Sequence, residues 1–379
     1  MQKFIRIRFK SNILAMIKRA SYLLTKTTLG SIILKYGLGL GLLAYVIIKH
    51  WHGEGSVPGL SDVLDRPIHV GPLFLAASIA LAGLLITFFR WYLLVRAVGL
   101  PFKLYDAIRL GLVSYYFNTF LPGSVGGDII KAYAIAREND RRTVAVATVL
   151  IDRIIGLWSL ACFVALIGTV FWILGDPLLN NRDLRWIVMS SIAIVGSSLL
   201  IWFVFGLLPG RIMDGIDRRL RSMPKIGGSL GELFYACRIY RRRSRSVLYA
   251  VLLSLIGHTG WVMVFHLSLH AFQTPNPAVD IGTFPEHMII VPVGMTAQAL
   301  FPTPSGIGGG EAAYGRLYQF LDRPEASGIV GCLAQRMIFY GLGLLGYLIY
   351  TRMKPTLQRT QVQEEKLGFA LPQPAESAG

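Results

Sequence analysis

The chain has 379 residues, of which 53% are hydrophobic and 16% charged, and a formal net charge of +17. An ordinary soluble domain carries about 25% charged residues, so a conventional soluble partition is excluded. The apolar residues are also gathered into runs, among them Ser31 to Ile48, Pro72 to Phe89, Trp186 to Leu208 and Val247 to Leu269. Each is close to the ~20 residues a helix needs to cross ~30 Å of hydrocarbon.

A pI near 10 would suit a nucleic-acid binder, but the distribution of charge argues for a membrane. Stretches 1–30, 90–109, 131–142, 208–246 and 351–379 hold 29 Lys/Arg against 9 Asp/Glu, whereas 49–70, 175–186, 273–286 and 312–326 hold 6 against 9. That alternation is the cytoplasmic excess of basic residues that fixes membrane orientation, so the charge is explained without a nucleic acid. The run Arg241-Arg242-Arg243-Ser244-Arg245 reads as a stop-transfer flank. Residues 1–30 read as a basic cytoplasmic segment, suited over 3–23 to lying on an anionic leaflet, and they lead into a retained first helix with no cleavage site after it. Cys162, Cys237 and Cys332 are too far apart for a metal knuckle, and His266 with His270 lacks a third ligand nearby in sequence. Neither a metal nor another cofactor is expected.

In chain order, the patterning predicts spanning helices over 31–49, 71–95, 143–174, 186–207, 247–271 and 327–350, with both termini cytoplasmic. Two apolar stretches that are too short to span break the pattern. The first, Ala107–Leu121, contains Arg109, ends at Leu121-Pro122-Gly123 and precedes the basic cluster Lys131, Arg137, Arg141 and Arg142. A full crossing would place that cluster outside, whereas a re-entrant hairpin that turns at Pro122-Gly123 keeps it inside. The second, His287–Phe301, matches the first in length, ends in Pro302-Thr303-Pro304 and runs into a glycine-rich stretch. The loop after it, with Arg316, Asp322, Arg323 and Glu325, is balanced in charge, as expected outside. A Gln/Pro/Ala-rich tail, 351–379, reads as disordered.

The two irregular stretches are copies of each other. Pro122-Gly-Ser-Val-Gly126-Gly127-Asp128 parallels Pro304-Ser-Gly306-Ile-Gly308-Gly309-Gly310-Glu311, and Asp152-Arg153 parallels Gln335-Arg336. The interval from acid to arginine is identical in both, from Asp128 to Arg153 and from Glu311 to Arg336. With one hairpin entering from each side, the expected fold is an all-α polytopic bundle, 31–350, in which halves 71–174 and 247–350 form an inverted repeat.

Charges in a membrane helix cost roughly 2.5 to 3.5 kcal/mol even on a lenient scale, so Asp128, Asp152, Arg153, Glu311 and Arg336 must be paired or wet. At ~1.5 Å per residue both arginines reach the midplane. Glycines at the tips, Gly123, Gly126, Gly127, Gly306, Gly308 and Gly309 beside Pro122 and Pro304, allow a non-helical turn, and the half-helices that follow present N–H groups suited to phosphate. These residues, with Asn118, are the candidate transport site. The alternative is that Asp128 and Glu311 only cap those half-helices, with the arginines as their partners. Asn118 and Gln298 can either line a cavity or bond a neighbouring helix, and Gly341, Gly343 and Gly346 read as a helix-packing face. No Gly-x-x-x-x-Gly-Lys-Ser/Thr loop is present, so ATP hydrolysis is not expected.

The segments Asn118-Thr-Phe-Leu-Pro-Gly-Ser-Val-Gly-Gly-Asp128, Asp152-Arg153 and Pro302-Thr-Pro-Ser-Gly-Ile-Gly-Gly-Gly-Glu311 resemble the transmembrane flippase domain of lysylphosphatidylglycerol synthase, also called the multiple peptide resistance factor. The resemblance spans roughly 31–350 and implies a prokaryotic inner membrane and lipid translocation between leaflets. Synthase members continue into a soluble aminoacyl-transfer domain, whereas only the short stretch 351–379 follows the last predicted helix here, so synthesis of an aminoacylated lipid is not carried over. The expectation is a flippase, not an enzyme, with membrane lipids as its partners and a phosphate-headgroup lipid as cargo. The alternative is a membrane-embedded transferase with Asp128 or Glu311 as base. The sequence leaves the oligomeric state open.

Overall fold

The computed structural model describes residues 29–53, 57–121, 126–137, 141–223, 227–272 and 281–366, and the fold is all-helical over them. The interfacial reading of residues 3–23 therefore lies outside the described residues. The helices are α1 (Leu29–Lys49), α2 (Leu60–Leu64), α3 (Val70–Ala97), α4 (Leu104–Phe120), α5 (Gly126–Arg137), α6 (Arg142–Leu174), α7 (Arg182–Leu207), α8 (Gly210–Arg221), α9 (Gly227–Arg242), α10 (Ser244–His270), α11 (Phe284–Leu300), α12 (Gly309–Gln319) and α13 (Glu325–Lys366). Five of them, α3, α6, α7, α10 and α13, are long and apolar enough to cross a bilayer. The outer faces stay apolar: α7 leaves Leu200, Ile201, Phe203 and Leu207 exposed, as a helix solvated by lipid does. This is a multi-pass membrane protein.

Two elements differ from the sequence reading. The basic stretch 208–246 is not a loop but the helix pair α8–α9, joined to α7 by Leu208-Pro209 and to α10 by Arg243. Met213, Ile216 and Leu220 recur on one face of α8 among arginines, and Met213 is fully buried. High charge hides such a short amphipathic helix from any test based on mean hydropathy. At the other end α13 runs to Lys366, past the boundary placed at 350. A helix already nucleated gains one hydrogen bond per residue added, and the Gln, Arg, Glu and Lys of 351–366 are good helix formers. The remainder of the tail, 367–379, lies outside the described residues.

Packing follows a two-part scheme. α3 and α10 make the most extensive helix contact, side by side at the centre. Around them α4 packs on α5 and on α13, while α11 packs on α12 and on α6. α5 packs on α6, and α12 packs on α13. Each contact within the first set α3–α6 thus has a counterpart within α10–α13, and each contact between the sets has a mirror image. One core cluster, with Trp91, Leu94, Ile135, Val144 and Tyr240, gathers at the basic end. Another, with Phe265, Ile289, Ile290, Tyr314 and Tyr318, gathers at the opposite end.

Close backbone approach holds α4 against α13. A Cβ on Gly346 would collide with the Leu112 carbonyl oxygen, and one on Gly343 would stand 3.1 Å from the Phe120 ring, whereas Gly341 faces open space. Two of the three glycines thus form the packing face. Gly346→Ala is expected to lower the detergent-solubilised protein's melting temperature by several degrees, a loss of about 1–3 kcal/mol, and Gly341→Ala to leave it within a degree of the parent. Equal melting temperatures for the two variants would contradict this packing.

Candidate functional site

Each of the two glycine-acid motifs sits at the tip of a helical hairpin. In the first, α4 supplies an arm of 17 residues and α5 a return of 12; in the second, α11 supplies 17 and α12 returns 11. The return helices, at 12 and 11 residues, are shorter than the ~20 a spanning helix needs.

At the first tip, residues 122–125 lie outside the described residues, and with them Pro122 and Gly123. On either side, Asn118 staples the reversal: its Oδ1 accepts the Gly127 N–H at 2.7 Å and its Nδ2 donates to Asp128 Oδ1 at 3.3 Å. Asp128 Oδ2 takes Arg153 Nη1 at 3.1 Å, so the first acid and arginine of the repeated interval form an ion pair. Gly127 is there because α4 and α5 touch backbone to backbone, and a Cβ would overlap the Ser114 carbonyl. Gly126 is merely snug, 3.3 Å from the Leu121 side chain. The pair is open to its surroundings, with side-chain exposures of 33% for Arg153 and 14% for Asp128. Lys131, one turn further along α5, is buried over the rings of Trp91 at 5.0 Å and Phe88 at 5.8 Å.

The second tip carries the same pair in a closed form. Arg336 Nε donates to Glu311 Oε1 at 2.7 Å, and the side-chain exposures are 7% and 0%. Glu311 Oε2 also accepts the Gly308 N–H at 2.7 Å, capping α12. Arg336 further donates from Nη1 to the Ser305 carbonyl at 2.8 Å and from Nη2 to that of Gly306 at 3.4 Å. Those carbonyls face the arginine because Ser305, Gly306 and Gly308 adopt positive φ of 52°, 69° and 81°; the two glycines do so without steric cost and Ser305 does not. Pro304 opens the turn, Thr303 Oγ1 closes it on the Ile307 carbonyl at 2.7 Å, and Gly309 lies against Phe301 where a Cβ would collide. Gln298 donates to Cys332 Sγ at 3.1 Å and packs on Gly310, so it fills the hairpin's interior. The capping alternative therefore describes part of what Glu311 does.

The tips lie side by side. The Tyr36 hydroxyl of α1 donates to the Phe120 carbonyl at the first tip at 2.7 Å, while a Cβ at Gly39 would stand 3.0 Å from Thr303 at the second. Tyr36 and Gly39 are at the middle of the 21-residue α1. The Pro304–Gly306 turn packs on α4, and the Phe120 ring lies 5.5 Å from that of Tyr340, one turn beyond Arg336.

This constellation of paired glycine-acid hairpins and partner arginines lies within residues 32–346, which match the family model described as the lysylphosphatidylglycerol synthase TM region. The chain belongs to that family. No curated protein and no solved structure matches it. As a member of the lysylphosphatidylglycerol synthase transmembrane family, it is a multi-pass membrane protein of a family concerned with phospholipid headgroups.

One candidate residue is not brought to the tips. Asp152 leaves α6 on a different face from Arg153 and pairs with Arg90 of α3 at 2.8 Å, both buried. Sequence reasoning misses Arg90 by counting it with the basic flank 90–109; its place seven residues inside the end of α3 is the available signal. His266 does find a further histidine, His287 of α11, with the Nδ1 atoms 2.8 Å apart, but among the described residues no cluster of three His, Cys, Asp or Glu side chains is arranged to hold a metal. At the basic end, a cavity of about 410 Å³ is lined by Arg141, Arg142, Thr143, Arg221, Glu232 and Tyr235.

The difference in burial between the pairs gives unequal expectations. Glu311→Gln keeps an oxygen for Gly308 but leaves Arg336 without its counter-charge, a cost on the order of 3–5 kcal/mol. Asp128→Asn, at a pair that meets its surroundings, is expected to cost about 1 kcal/mol or less. Thermal unfolding of both variants in one detergent checks this, and a loss at Asp128 equal to that at Glu311 would mean that the first tip is as closed as the second.

Proposed function

We propose that the protein translocates a phosphate-headgroup lipid between the leaflets of a prokaryotic cytoplasmic membrane. In this reading the two hairpins are re-entrant, one from each side, and belong to an inverted repeat. The meeting of both tips at the middle of α1 carries the proposal, because a 21-residue helix at ~1.5 Å per residue is about as long as the hydrocarbon is thick. Contacts that pair off between α3–α6 and α10–α13 support the repeat, and the basic residues at one end support its orientation with that end cytoplasmic.

The headgroup would meet the protein where charge is available to it. Arg153 is the accessible cation, with a side-chain exposure of 33%, and the cavity with Arg141 and Arg142 lies beyond it at the basic end. A phosphate is recognised by guanidinium groups through paired, charge-assisted hydrogen bonds. The tails would remain in lipid, along outer faces that the helices leave apolar. The open first pair and closed second pair then correspond to one state of an alternating cycle, and the other state would exchange their exposures.

Two experiments test this. In a background lacking Cys162, Cys237 and Cys332, single cysteines replacing Lys103 and Arg141, which flank the first hairpin, are expected to label from the cytoplasmic side. Cysteines replacing Thr283 and Gln319, which flank the second, are expected to label from outside. If Lys103 and Arg141 label from opposite sides, the first hairpin is a full span and the inverted repeat falls. In liposomes containing only this protein, a fluorescent phospholipid should cross between leaflets with its headgroup unchanged, and Gly127→Val should abolish crossing while the protein still inserts. Recovery of a chemically modified headgroup would favour a transferase instead.

A further inference from the structure

Where α3, α6 and α10 meet, a seam of buried polar side chains runs through the centre of the bundle, apart from both tips. α6 contributes Asp152, Gly156 and Ser159, spaced i, i+4, i+7 on one face, and α10 contributes Ser254 and His258 at i, i+4. All four side chains and Arg90 are less than a tenth exposed. Arg90 donates from Nε to Asp152 Oδ1 and from Nη1 to Ser254 Oγ, both at 2.8 Å, and from Nη2 to the Asp152 carbonyl at 3.2 Å. Gly156 makes room for it, since a Cβ there would lie 3.2 Å from the guanidinium. By rise per residue, Asp152 is ~15 Å and His258 ~21 Å from the starts of their helices, close to mid-bilayer in a spanning helix.

Ser159 Oγ lies 2.9 Å from both the Gly156 carbonyl and His258 Nε2. The assignment that satisfies both contacts has the hydroxyl donating to the carbonyl and accepting from Nε2–H, which leaves Nδ1 a bare lone pair. That nitrogen is buried without a partner, beside the edge of Phe163. A hydrogen bond between Ser159 and the imidazole would serve packing equally well from an asparagine or glutamine, which would leave no basic nitrogen in an apolar core.

We propose that His258, with the Arg90–Asp152 pair, is an intramembrane proton-binding site that couples proton movement to the first hairpin. A proton fits this seam, whereas a metal cation does not. One lone pair suffices to bind it, while a metal would need several donors beside the fixed positive charge of Arg90. The charged groups facing the seam are Arg90 from α3 and Asp152 from α6; Tyr240 of α9 lies near Asp152 with its hydroxyl held by the Leu94 carbonyl, and Lys131 of α5 lies beyond Trp91. A proton arriving at Nδ1 forms an N–H bond and creates a donor with no acceptor, next to Arg90. It thereby disfavours the observed packing relative to one in which the imidazolium reaches the seam's carboxylate, Asp152. Asp152 precedes Arg153, the partner of Asp128, so a shift of α6 that serves one acts directly on the other. Ligand binding moves a conformational equilibrium only through such a difference between states.

The site stands on its own geometry, and its coupling rests on the translocation reading, so the test separates them. In nanodiscs with nitrogen-15-labelled histidine, the His258 signal, assigned by its loss in His258→Gln, should pass from a bare to a protonated Nδ1 as the pH falls from about 6 to about 3. In proteoliposomes enclosing a pH-sensitive dye, an inward proton gradient should accelerate crossing of a labelled phospholipid about tenfold, with acidification of the lumen. His258→Gln and, independently, Asp152→Asn should flatten that response. A His258 ring that stays bare at Nδ1 across this range overturns the proton site. A wild-type protein that moves lipid at one rate under gradients of either sign, without acidification, overturns the coupling. Titration of His258 in a protein that moves no lipid would keep the proton site and remove the translocation reading.

Discussion

A helix broken in an apolar interior must satisfy its own backbone, and much of this molecule is arranged around that requirement. The reversal at Phe301–Gly309 turns carbonyls and an N–H into the interior of the bundle. Each unsatisfied group costs several kcal/mol in hydrocarbon. The second tip meets the requirement with side chains: Arg336 serves two tip carbonyls and Glu311 one N–H, and the two charges neutralise each other. The first meets it with Asn118, which accepts from Gly127 and donates to Asp128. Arg153 and Asp128 stay partly exposed while Arg336 and Glu311 are enclosed, and that difference in exposure is the physical basis for seeking substrate contacts at Arg153 before Arg336.

Much of this organisation is legible in the sequence because its signals are periodic or repeated. Hydropathy over some twenty residues finds five helices long and apolar enough to span, and misses the end of the last one, which runs on to Lys366. The duplicated interval between acid and arginine finds two ion pairs, since a side chain at the start of a half-helix and one three turns into the next long helix are brought together only at a particular separation. Gly343 and Gly346 behave as small residues in a membrane helix are expected to, by admitting another backbone. What stays hidden depends on direction around a helix axis. Asp152 and Arg153 are adjacent in sequence and group together on that ground, yet neighbours on a helix point about 100° apart, so one meets the tip and the other meets α3. Arg90 is invisible for the same reason. A single arginine near a helix end reads as an interfacial flank until a partner from 62 residues away shows that it faces inward.

The α8–α9 pair shows another limit. A composition rich in arginine and poor in apolar residues reads as a solvated loop, but only Met213, Ile216 and Leu220 are needed to bury one face of a three-turn helix. Its acids are consumed locally, Asp214 by Arg238, Asp217 and Glu232 by Arg221. The adjoining cavity is lined by Arg141, Arg142 and Arg221 against the single carboxylate Glu232, so its described lining keeps a positive balance. Such a surplus of cations at the end of a bundle is what anionic headgroups are drawn to.

Two charged systems then coexist in one bundle, and their separation is informative. The tips hold acid–arginine pairs that are equivalent in sequence and unequal in exposure; the seam sets the Arg90–Asp152 pair of the first half against His258 of the second, and Gln335 stands at the position of Asp152. The second half also holds a further ion pair, Arg323 with Glu286 at 2.7 Å, so what is particular to the first half is where its pair sits, among α3, α6 and α10. Under the proposed translocation, two states related by an inverted repeat would be nearly equal in energy, and the difference between Asp152 and Gln335 would let protonation of the seam tip their balance.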